Sequence, residues 1–117
     1  MEKKEGRAAA MRIVALGNPD RGDDGAALLA ASRFVDDPRA LIVLAGRPGV
    51  GLLDLLPPRD RCLLMDVTWS GSPPGTIHRI PLNELSPTTL PDLRVSSHGF
   101  GPGEALSLAR ALSRPLP

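Results

Sequence analysis

Four side chains in this sequence stand where chemistry is commonly done: Asp23, Asp24, Asp66 and His98. Asp23 and Asp24 follow the loop Gly17-Asn18-Pro19-Asp20-Arg21-Gly22, which itself follows the apolar run Ile13-Val14-Ala15-Leu16. Loops at the carboxyl ends of strands are where open α/β sheets bind ligands, so the chemistry of this loop indicates the kind of ligand. A phosphate loop would continue from Gly17-x4-Gly22 into Lys and Ser/Thr, and a dinucleotide loop would read GxGxxG; neither is present. Adjacent carboxylates repel phosphate and suit a metal ion or a polarised water. Either acid can instead cap a following helix, where Asp is strongly preferred, and one can cap while the other faces the crevice.

Asp66 stands at the end of the apolar run Cys62-Leu63-Leu64-Met65, where a carboxylate projects into the same crevice as the first loop, or serves as a turn residue. His98 lies in Ser96-Ser97-His98-Gly99-Phe100-Gly101-Pro102-Gly103, a glycine-rich loop ahead of the last helical segment. Glycines there let backbone approach a ligand closely, although an isolated loop His is more often a solvated surface residue. Two carboxylates and one imidazole suit a first-row divalent metal, nickel and zinc both being allowed. No Ser/His/Asp or Cys/His pattern and no HExxH is present, so a covalent nucleophile is not indicated. Cys62, within its apolar run, reads as a small hydrophobe, and His78 as a surface residue.

The elements that must position these groups can be read from periodicity. Residues 13–16, 41–44 and 61–65 read as strands, and the Ala/Leu-rich segment from Asp23 to about Phe34 as a helix. Leu52 to Leu56 reads as a short helix stopped by Pro57-Pro58, and Gly103 to Leu112 as a final one. Thr76 to Ile80 alternates polar and apolar and predicts an edge strand; Pro81 to Arg94 predicts a loop with at most one helical turn. The alternation argues for an α/β fold, a doubly wound, mainly parallel sheet with helices on both faces. Trp69 and Phe100 fall in loops, where they can line a groove as readily as pack inward.

Three segments together resemble the hydrogenase maturation proteases, endopeptidases that trim the carboxyl terminus of the large subunit of nickel-iron hydrogenase. Gly17-Asn18 followed by Asp23-Asp24-Gly25 is similar to the family's GN-x4-DDG signature, and Asp66-x4-Gly71-x2-Pro74-Gly75-Thr76 to its second. Ser97-His98 before a Leu/Ala-rich helix is similar to the third. The resemblance implies a three-layer, phosphorylase/hydrolase-like sandwich, with Asp24, Asp66 and His98 contacting the nickel of the substrate subunit and contributing to catalysis. Zinc or another divalent metal would substitute. The metal would act on the scissile carbonyl or on a water, with Asp24 or Asp66 as base. The implied partner is the hydrogenase large-subunit precursor.

The chain departs from the family pattern at Ala15 and Ala27, which replace glycines, and around Gly46. There the family shows an acid and Gly-Thr, whereas this chain has Leu44, Arg47 and Pro48. The resemblance also leads one to expect a further strand and helix beyond Pro117. Without them, the expectation is a truncated form, with a non-catalytic metal- or protein-binding remnant as the alternative to a protease.

Length and composition bound these readings. At 117 residues the chain fits one domain, residues 11–117, behind a charged lead-in of residues 1–10 expected to be disordered. A net charge of +1 gives no argument for nucleic acid or an anionic membrane surface, and no apolar run approaches the length of a membrane span. One cysteine excludes an internal disulfide, and with no apolar signal stretch near Met1 the cytoplasm is the default location. A phosphate or nucleotide enzyme on a similar sheet is disfavoured by the acids in the first loop.

Overall fold

The computed structural model describes residues 11–18, 20, 22–68, 71–87 and 101–117. Its centre is a three-stranded sheet in the order β2-β1-β3, with β1 at Met11–Leu16, β2 at Ala40–Gly46 and β3 at Cys62–Met65. Both pairings are parallel: Ile13 faces Ile42 on one side and Leu63 on the other. Parallel neighbours need a crossover rather than a hairpin. The first crossover carries helix α1, Ala26–Ser32, and the second a 3-10 helix, Gly49–Leu55. A last helix, α2, spans Pro102–Ala111.

Four consecutive residues of β1, Ile13 to Leu16, are buried, as expected of a strand covered on both faces. Its alternation divides the core in two. Val14 and Leu16 pack with Leu52, Leu53 and Leu56 and with Ala105, Leu106 and Ala109 of α2. Ile13 and Ala15 point the other way, into a smaller cluster with Ala31 of α1 and Ala40. Ile42 and Met65 of the flanking strands pack against this smaller cluster, while Leu44 and Leu63 remain exposed.

The start of α2 follows from its sequence. Pro102 occupies the first turn, where its missing N–H costs nothing, and the Gly101 N–H donates to Glu104 Oε1 at 2.9 Å. Near its other end Arg110 donates to the carbonyls of Leu82, Asn83 and Leu85, tying the helix to a single 3-10 turn at Leu82–Glu84. Arg110→Ala is expected to cost about 1 kcal/mol and to lower the melting temperature by about 4 °C, read from a thermal melt followed by circular dichroism.

Two expectations are corrected. Residues 76–80 are not a strand: they form no ladder with any described strand, and Ile77 is 83% exposed. Pro73-Pro74 and Pro81 bracket the segment, and proline cannot donate to a ladder. Instead the Thr76 N–H and Oγ1 both donate to the Pro73 carbonyl, and Gly75 takes a φ of 90°, the Pro-Gly pattern of a type II turn. The first helix does not open at Asp23 behind an Asp cap either. A 3-10 turn spans Gly22–Gly25, and α1 begins after Gly25, so neither acid occupies its cap position. No helix among the described residues is long and apolar enough to cross a membrane.

Candidate functional site

The order β2-β1-β3 has a direct consequence for chemistry. The chain leaves β1 toward β2 on one side while β3 lies on the other, the kind of switch point beside whose carboxyl strand ends open α/β sheets bind ligands. Asp24 lies in the segment after β1, and Asp66 directly follows β3.

The first loop is set by Gly17. It adopts a φ of 140°, and a Cβ placed there would collide with the carbonyl oxygen of Asp24 and lie 3.2 Å from its carbonyl carbon. The strand end and the Asp24 backbone are therefore in direct contact, and only glycine allows it. Within the loop, the Asp20 N–H donates to Asn18 Oδ1 at 2.9 Å, a local side-chain-to-backbone bond of the kind that Asn makes in turns.

From the other flank comes a residue that the sequence reading did not place in the site. The β1/β2 register shifts between Ala15 and Leu16, so that Leu16 pairs with Gly46, and the Gly17 N–H donates to the Gly46 carbonyl at 2.9 Å. Such irregularities bend a strand and re-aim the side chains that follow it. Here Arg47 follows, and its Nη2 donates to Asp24 Oδ2 at 3.3 Å. The signal available beforehand was a lone cation at the end of the second strand, beside acids at the ends of the first and third.

Asp66 accepts the Val67 N–H through Oδ1 at 2.8 Å. The residue keeps solvent-exposed surface, yet burial of its carboxyl pushes the pKa above the ordinary carboxylate value. The Val67 N–H acts against the rise, the negative charge of Asp24 adds to it, and Arg47 opposes it. Asp24, Asp66 and Arg47 thus feel one another across the ends of three adjacent strands. A raised folded-state pKa means that the native state is penalised for ionising this acid; stability present below the unfolded pKa is lost as pH rises through the folded one. Asp66→Asn is accordingly expected to raise the melting temperature at pH 7 by about 1–3 °C, because solvent access limits the effect. The gain should vanish in melts at a pH low enough to protonate Asp66 in folded and unfolded chains alike.

The donor set fits a divalent cation in kind: two carboxylates from neighbouring strand ends supply oxygen ligands, one of them held by a guanidinium. In the loop after Asp66, the buried Thr68 Oγ1 has no hydrogen-bond partner among the described residues. His98, Trp69 and Phe100 lie outside the described residues, as do residues 1–10. Among the described residues no group of three His, Cys, Asp or Glu side chains is gathered for a metal. His78 is exposed. Cys62 is half-buried against the larger core; burial raises its thiol pKa, Arg12 lowers it and Asp60 raises it, which keeps the sulfur protonated and poorly nucleophilic.

Compared with protein-family models, curated proteins and solved structures, the chain matches none.

Proposed function

We propose that this chain is a maturation endopeptidase of the hydrogenase maturation protease type, acting on a nickel-loaded hydrogenase large-subunit precursor in the cytoplasm. The observation that carries the reading is the placement of Asp24 and Asp66 at the carboxyl side of adjacent parallel strands, with Gly17 packed on the Asp24 backbone. On this reading the β2-β1-β3 sheet is the heart of a doubly wound, three-layer sandwich of the phosphorylase/hydrolase-like kind.

The nickel arrives as part of the substrate, and Asp24, Asp66 and His98 are its contacts. Its recognition places the adjoining peptide bond over the crevice. Asp24 or Asp66 then serves as the base that takes a proton from the attacking water and returns it to the departing amine. Peptide hydrolysis consumes one water and leaves a new carboxylate and a free amine.

The test is incubation of the protein with a nickel-loaded large-subunit precursor, read by mass. Loss of a carboxyl-terminal peptide supports the reading; a precursor of unchanged mass overturns the endopeptidase. A second reading, a metal- or protein-binding module of the same fold without catalysis, is favoured by the engagement of Asp24 with Arg47. It expects complex formation with the precursor and no change in mass.

A further inference from the structure

Arg47 sits awkwardly with a cation site. It comes from the loop after β2, is turned toward the first loop by the register shift at Gly46, and places a positive charge on one of the two acids. The pair is single-contact at 3.3 Å, with the two side chains 36% and 42% exposed, so it is a solvent-accessible ion pair rather than a buried one. Pairs of that kind are weak and readily exchanged.

We infer that Arg47 is an exchangeable counter-ion of Asp24: it holds the carboxylate when no divalent cation is present, must leave it for one to bind, and so sets the cation affinity of the site. The inference rests on the reading of Asp24 and Asp66 as cation contacts. Its consequence is selectivity by form of delivery. A free hydrated cation meets a carboxylate already paired and a nearby like charge, and binds weakly. A cation presented by a protein brings further contacts that outweigh the loss of the ion pair. The site thereby stays clear of stray metal.

Calorimetric titration of nickel and of zinc ions into the full chain tests this with no activity required. Arg47→Gln is expected to bind about 3- to 10-fold more tightly than the unmodified chain at low salt, with the gap narrowing as ionic strength screens the pair. Arg47→Lys, which keeps the charge, should stay near the unmodified affinity. Asp24→Asn should bind weakly whether residue 47 is Arg or Gln. Arg47 is at the surface, and matched melts of the variants confirm that all are folded. If Arg47→Gln binds no more tightly while Asp24→Asn still loses binding, the counter-ion inference falls and the cation site stands. If none of the proteins binds either cation, both fall.

Discussion

Asp24→Asn is expected to reduce cleavage of a nickel-loaded precursor by about 100-fold or more while leaving the protein folded. The substitution keeps the shape of the side chain and leaves untouched the backbone carbonyl that meets Gly17. What it removes is the negative charge offered to a cation and the ion pair with Arg47. An exposed pair contributes at most about 1 kcal/mol, so the melting temperature should fall by no more than about 4 °C. Mass analysis of the precursor over time, beside a melt of the variant, separates the two effects. Asp23→Asn should do less, since the resemblance gives the second acid the contact with nickel. Equal losses from the two, or full cleavage by Asp24→Asn, would show that the pair serves the fold or that the contact belongs to the other acid.

Gly17→Ala attacks the same place through the backbone. A methyl group at residue 17 meets a carbonyl rather than the end of a flexible side chain, and the φ of 140° is one that a residue with a Cβ rarely adopts. Either the turn between β1 and the 3-10 helix opens or the strand end shifts. Together, overpacking and strain are expected to cost about 3 kcal/mol, a fall of about 10 °C in melting temperature. Because relief moves the Asp24 backbone, cleavage should fall even at temperatures where the variant is folded. A variant that melts within about 2 °C of the unmodified protein would mean that the loop relaxes without strain.

Much of this arrangement was legible beforehand. The strands announced themselves as short apolar runs, and the placement of acids after the first and third needed only the rule that such ends bind ligands. The last helix, read as Gly103 to Leu112, lies at Pro102–Ala111. Other features depended on partners that no local pattern reveals. Alternation in residues 76–80 resembles a strand, but a strand exists only when a neighbour pairs with it, and the flanking prolines favour a turn. Asp23 looked like a cap because Asp is favoured there, whereas a 3-10 turn intervenes before the α-helix. Arg47 was read as a departure from a family pattern, although a lone cation at the end of the second strand was there to be noticed. Its meeting with Asp24 depends on a one-residue register shift between two strands, a tertiary event with no signature in the residues around it.

The parallel sheet also governs how the chain can be made. Its central strand is synthesised first, and both partners come later: β1 pairs with β2 only after α1 has been completed, and with β3 only after the second crossover. Among the described strands, none pairs with β1 as a hairpin meanwhile. A nascent chain that has not yet produced Cys62–Met65 carries an unpaired edge on β1, with apolar side chains on both faces of the strand. Such intermediates fold slowly and associate easily. A pause in translation before β3 emerges therefore leaves a species that chaperones should hold, whereas a pause after it leaves a sheet already paired on both sides.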